Sequence, residues 1–278
     1  MSSQTPTTTN TRRFTVRDIA AHKGKDPLVC LTAYTTPMAR ILDEHADVLL
    51  VGDSLGMVVH GLASTVGVTL DMMILHGRAV MRGATKAMVV VDLPFGSYEE
   101  SHEVAWRSAS RVMMETGCQA VKVESGEGIA DTIAFLVERG IPVMGHVGLR
   151  PQAMNVDGGF RAKGRNKAER DRVVREAQSA DRAGAFAIVI EGVAANIAAE
   201  ITAMVKCPTI GIGASATCDG QILVTDDMLG MFEWTPKFVR KYATLNDTIN
   251  NAVKEYARDV RARSFPAQAE TYVLKRET

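Results

Sequence analysis

The chain has no surplus of charge of either sign: Lys+Arg number 32 and Asp+Glu number 32. That balance leaves no electrostatic footprint for nucleic acid or for an anionic membrane surface. Long apolar runs are also missing, and every run is far short of the roughly 20 residues that a membrane span needs. Cysteine is scarce. Cys30, Cys118, Cys207 and Cys218 show neither CxxC nor zinc-finger spacing and read as ordinary thiols of a reducing compartment. Residues 1–11 are Ser/Thr-rich with no apolar core, and no hydrophobic segment follows Arg12-Arg13, so neither a secretory nor a twin-arginine signal is read. The tail over 1–13 is expected to be disordered, and the cytoplasm is the expected location. No GxGxxG follows the first apolar strand, which removes a dinucleotide site. No linker divides the chain, so one domain is expected over 14–265 with a C-terminal tail over 266–278.

What is present is a repeated sentence. Val48-Leu49-Leu50-Val51 runs through Gly52 to Asp53 and Ser54. Met88-Val89-Val90-Val91 ends at Asp92, Ala120-Val121-Lys122-Val123 at Glu124, and Ile188-Val189-Ile190 at Glu191. Such short runs suit strands covered on both faces, as in parallel sheets. Helical patterns fall between them, over 37–45, 71–83, 99–116, 129–139, 165–183 and 194–205. A short helix over 14–21, with Thr15 as its cap, precedes the first strand at 28–33. Further strands are expected near 141–146 and 208–215, and an eighth at Phe238-Val239-Arg240, before a last helix over 245–263. Strand and helix alternate, and the length of 278 residues suits one barrel, about 250 residues being typical. The fold class is therefore α/β, a (β/α)8 TIM barrel with an N-terminal helix. Functional-looking groups at many successive strand ends favour the barrel over an open doubly wound sheet, whose site lies at one switch point.

In a barrel all strand ends share one mouth, so Asp53, Asp92, Lys122, Glu124, His146 and Glu191 converge there. Two or three carboxylates with an open side suit Mg²⁺, which prefers oxygen ligands and keeps several waters. A 2-oxo acid offers the ion its carboxylate and keto oxygen, and the metal then stabilises an enolate as a Lewis acid. Lys122 can pair with the substrate carboxylate, and one remaining acid is left as general base. Each residue also has a plainer reading. A lone acid ending a strand is more often a helix cap, and a lone histidine more often a hydrogen-bonded core residue. Ser54 and Ser215 are more often turn formers. Lys122 and Glu124 resist that reading, because they share one face of a Val-rich strand and burying both demands partners.

Seven motifs occur in order: Val51-Gly52-Asp53-Ser54-Leu55-Gly56, Asp92-Leu93-Pro94-Phe95, Val121-Lys122-Val123-Glu124, Gly145-His146-Val147-Gly148-Leu149-Arg150-Pro151-Gln152, Gly158-Gly159-Phe160, Ile210-Gly211-Ile212-Gly213-Ala214 and Asp219-Gly220-Gln221. Together they resemble the ketopantoate hydroxymethyltransferase family from about Thr15 to Phe265. The resemblance implies a homo-oligomer, a decamer of two stacked pentamers. It implies two small-molecule partners, a 2-oxo acid and a folate, and neither nucleic acid nor membrane. The reaction it implies is transfer of a one-carbon unit from 5,10-methylenetetrahydrofolate to 3-methyl-2-oxobutanoate, giving 2-dehydropantoate for pantothenate and coenzyme A synthesis. By position, Asp53 and Asp92 would ligate Mg²⁺, and Glu124 would join directly or through water. Ser54, Asp53, Asp92, Lys122 and His146 would face the oxo acid, and Glu191 would be the catalytic base. Thr35, Gly192 and Ser215 depart from the family pattern, where Asp, Cys and Gly are common. Phosphoenolpyruvate mutases and isocitrate lyases use a similar strand end and Mg²⁺, but the Lys-Lys-Cys-Gly-His motif of those lyases is absent. A non-catalytic barrel is disfavoured, because all five of Asp53, Asp92, Lys122, Glu124 and Glu191 are intact.

Overall fold

The computed structural model describes residues 12–126 and 128–272. The outer parts of the two expected tails, 1–11 and 273–278, lie outside the described residues. Eight parallel strands close into a barrel in sequence order: β1 (Leu28–Thr32), β2 (Val48–Val51), β3 (Met88–Asp92), β4 (Ala120–Glu124), β5 (Val143–Gly148), β6 (Ala187–Glu191), β7 (Thr209–Ile212) and β8 (Gly220–Leu223). The helices are α1 (Val16–Ala20), α2 (Thr36–Leu42), α3 (Leu55–Val58), α4 (Leu70–Gly83), α5 (His102–Thr116), α6 (Ile129–Glu138), α7 (Met154–Asp157), α8 (Lys167–Arg182), α9 (Ala195–Met204), α10 (Thr225–Met228) and α11 (Leu245–Arg261). Caps set many of their starts. Thr15 and Asp18 form a reciprocal capping box, and Thr69, Ser101 and Asn166 each accept a first-turn N–H. Gly117 ends α5 at φ 77°, a left-handed turn that a side chain disfavours.

Every residue of β2, β3 and β4 is buried, as two covered faces require. Alternate residues divide between two cores. Leu49, Val51, Val89 and Val91 pack outward against the helices. Val48, Leu50, Met88, Val90, Ala120, Met144, Val189 and Ile210 fill the barrel interior, joined by Ile19 from α1. Phe14 and Val16 pack against that interior cluster. The N-terminal segment is pinned where the strands begin: Phe14 N–H donates to Lys86 O (2.8 Å), and Lys23 Nζ meets Asp219 Oδ2 (3.0 Å). Arg13 donates to Ala87 O (3.1 Å), and Arg12 pairs with Asp18 (2.6 Å). These two residues, placed in the tail by sequence, are therefore held.

The last strand differs from expectation. It is Gly220–Leu223, not 238–240, and no helix separates it from β7. The connection 213–219 is short and polar instead. Asp219 accepts from Thr209 N–H (2.8 Å), and Gln221 Nε2 donates to Ser215 O (2.8 Å). The described residues form two compact units, 12–225 with all eight strands and 226–272 with α11. The barrel unit thus stops short of the expected boundary at 265, because its closing strand comes earlier. No helix among the described residues is long and apolar enough to cross a membrane.

Candidate active site

The inward columns of the strands continue upward into charge. Val90 is followed two residues on by Asp92, Ala120 by Lys122 and then Glu124, Met144 by His146, and Val189 by Glu191. Register sets them side by side, with Asp92 opposite Lys122 and Glu124 opposite His146. Asp53 lies just past β2, and its N–H donates to Asp92 Oδ2 (3.0 Å). All these residues except Glu191 are buried. The side chain of Glu191 is 18% exposed, the most open of the four acids.

Lys122 Nζ lies 2.9 Å from Asp92 Oδ1 and 3.3 Å from His146 Nδ1. The other ring nitrogen, Nε2, is 3.2 Å from Glu191 Oε2. Asp92 Oδ1 and His146 Nε2 are both buried and make no well-directed hydrogen bond, so these close pairs meet at poor angles. Ser54 Oγ is 2.9 Å from the Tyr34 hydroxyl, and Tyr34 O is in turn bound by His76 Nδ1 (2.7 Å). Ser54 is therefore an oriented hydroxyl that stands at the start of α3 without making a side-chain cap bond to it. Thr35, one of the departures from the family pattern, caps α2 (Met38 N–H to Oγ1, 3.4 Å).

Burying acids around one lysine shows in the proton affinities of Asp53 and Glu124. Burial first and Asp92 second push Asp53 up to about 7. Glu124 is held well above the usual carboxylate range, by burial and then by Asp53. Burial, then Lys122, lowers His146 and keeps its ring neutral. Burial would lower Lys122 too, but Asp92, Asp53 and Glu124 outweigh it and the net shift is upward. The lysine stays charged.

Two residues that sequence reasoning passed over complete the site. Gln152 is buried in the loop after β5, and its Nε2 donates to Asp53 Oδ2 (2.8 Å) and Leu93 O (3.0 Å). Tyr98, from the loop after β3, donates to Gln152 Oε1 (2.7 Å) and accepts from Glu124 N–H (3.2 Å). Gln152 lies within a quoted motif, but nothing local marks a glutamine as facing a carboxylate far away in sequence.

Among the described residues no three His, Cys, Asp or Glu side chains already form a metal cage. The donors nonetheless fit a divalent hard cation. Asp53 and Asp92 offer carboxylate oxygens, Asp92 Oδ1 lacks a hydrogen bond, and a cation would offset the burial and the Asp92 charge that together raise Asp53. Mg²⁺ keeps several waters and needs only one or two protein carboxylates.

The barrel resembles 2,3-dimethylmalate lyase, a PEP mutase/isocitrate lyase superfamily member, at a TM-score of 0.60 and 14% identity, covering 92% of this chain and 87% of that one. It resembles phosphonopyruvate hydrolase, solved in complex with oxalate and Mg²⁺, at 0.59 and 13%, over 94% and 93%. These are likenesses of fold. Sequence relatives are much nearer. The 3-methyl-2-oxobutanoate hydroxymethyltransferase of Hyphomonas neptunium is 69% identical over 277 residues, covering 100% of this chain and 99% of its own. That of Maricaulis maris is 66% identical, covering 99% of each. With the family described as ketopantoate hydroxymethyltransferase matching residues 13–268 as well, the chain belongs to the ketopantoate hydroxymethyltransferase family.

Proposed function

We propose that the chain transfers a one-carbon unit from 5,10-methylenetetrahydrofolate to C3 of 3-methyl-2-oxobutanoate, giving 2-dehydropantoate for pantothenate and coenzyme A synthesis. The observation that carries this reading is the gathering of Asp53, Asp92, Lys122, Glu124, His146 and Glu191 at one end of the barrel, in a chain 69% identical to a relative of that name. Asp53 and Asp92 would hold Mg²⁺, with Glu124 joining directly or through water. Bound there, the ion would supply Lewis-acid polarisation of the keto oxygen.

The chain's own groups do the rest. Lys122, kept charged by three acids, pairs with the carboxylate of the oxo acid. Ser54, oriented by Tyr34, adds a hydroxyl contact. Lys122 can only donate, so His146 accepts at Nδ1 and carries its proton on Nε2, facing Glu191. Nε2 stands 3.2 Å from Glu191 Oε2 without a well-directed hydrogen bond. Glu191 removes the C3 proton as general base. The resulting enolate carbon bonds to the methylene carbon of the folate as one of the donor's C–N bonds breaks. Water supplies the hydroxyl as the second C–N bond breaks. The two bound substrates must be held in contact, which is a demand on geometry more than on acidity. The same reading makes the protein a cytoplasmic homodecamer, which light scattering tests.

The test of the chemistry is solvent deuterium exchange into C3 of 3-methyl-2-oxobutanoate, without folate, with and without Mg²⁺. Metal-dependent exchange is expected. No exchange from bound oxo acid, even after tetrahydrofolate is added, would overturn the reading.

A further inference from the structure

Two residues with no part in the steps above join three strand ends into one circuit. The Glu124 backbone N–H donates to the Tyr98 hydroxyl oxygen, so the hydroxyl proton goes to Gln152 Oε1. The Gln152 amide then turns both N–H bonds toward acceptors, Asp53 Oδ2 and Leu93 O. The backbone N–H of Gln152 closes the loop on the Glu124 carboxylate, 3.2 Å from each oxygen. An inverted amide would set its oxygen against a carboxylate and a carbonyl, and its NH₂ against a donating hydroxyl. The partners therefore dictate the orientation. Tyr98 and Gln152 are only 2% and 6% exposed, so water does not stand in for any of these bonds.

We propose that Tyr98 and Gln152 are positioning residues that fix the Asp53 and Glu124 carboxylates and thereby set the affinity of the site for a divalent cation. The proposal rests on the metal role given above to Asp53 and Glu124. Gln152 aims one oxygen of Asp53, and its main chain restrains both oxygens of Glu124. Tyr98 acts at one remove, by forbidding the amide flip and by holding the Glu124 backbone. Hydrogen bonds that orient metal-binding groups from behind are typically worth about 10–100-fold in metal affinity.

The test uses the full-length chain and Mn²⁺ alone, followed by the electron paramagnetic resonance signal of the free ion. Tyr98→Phe keeps the ring and deletes the hydroxyl. Gln152→Met keeps the length and deletes the amide. Each is expected to weaken Mn²⁺ binding by about 10-fold or more. Ser97→Ala serves as control. It removes a hydrogen bond of the same loop, Ser97 Oγ to Pro94 O at 2.6 Å, and touches neither carboxylate. Its Mn²⁺ affinity is expected to match the unaltered protein, which separates a general loosening of the loop from the orienting role. If Tyr98→Phe does not fold, Gln152→Met carries the test. Unchanged affinity in a folded variant overturns the inference and leaves the proposed reaction standing. Equal weakening in Ser97→Ala overturns it as well. An unaltered protein that binds no Mn²⁺ overturns the metal role and the inference together.

Discussion

The lower and upper halves of the barrel interior use the same strands and the same inward columns for opposite ends. Below, Cys30, Val48, Met88, Val90, Ala120 and Met144 close on Ile19 with no charge among them. Above, two residues further along β3, β4 and β5, the columns turn into Asp92, Lys122 and His146. The lower half gains free energy by excluding water, about 25 cal/mol per Å² of apolar surface. The upper half gives some of it back, because buried like charges are costly unless matched. A rigid lower packing is what lets Asp53 and Asp92 stay close enough for one to donate its N–H to the other. Stability and chemistry are thus separated by height along the strand, not by domain.

That separation can be broken from either side. The largest effect is expected from Asp53→Ala combined with Asp92→Ala, which should abolish Mg²⁺-dependent binding of the oxo acid in a calorimeter while leaving the barrel folded. Glu191→Gln should keep that binding and lose about 10²–10⁴-fold in turnover, measured under saturating substrates. Met88→Ala attacks the lower half and should cost about 2–5 kcal/mol in urea unfolding, with little change in turnover per folded molecule. The smallest effect is a shift with pH. Asp53 titrates near 7 in the folded protein, above its ordinary 3.8, so the folded state holds an extra proton between those values. The stability that proton contributes is fully present below the window and is lost as pH rises through about 7. The metal-free melting temperature should therefore fall by a few degrees between about pH 5 and 8, and added Mg²⁺ should remove the fall.

Much of the upper half was legible because it is written locally. One acid ending a buried run reads as a helix cap, but four such runs ending in acids point to a shared mouth, and Lys122 with Glu124 declares a shared face by parity alone. The cap at Thr15 follows the same local logic, whereas Ser101 and Asn166 cap helices that begin two or three residues later than their apolar pattern suggests. The eighth strand was not legible. Gly220–Leu223 is short, opens on glycine and is only partly buried, so its apolar signal is weak. Without a helix before it, the rhythm of strand and helix pointed too far along the chain. Tyr98 and Gln152 escaped for a different reason. Their partners lie on other loops, and a hydrogen bond between distant loops leaves no period in the sequence.

The helix that stoppers the lower end of the barrel also has a kinetic meaning. With Ile19 seated among the interior side chains and the N-terminal segment tied to the rim, the barrel is packed shut at that end. In the proposed reaction both substrates would therefore reach the acids from the strands' C-terminal side. A small molecule bound on the floor of such a site is trapped while a larger one stands behind it. In the proposed reaction the order of arrival and release would then follow depth, the product seated deepest leaving last.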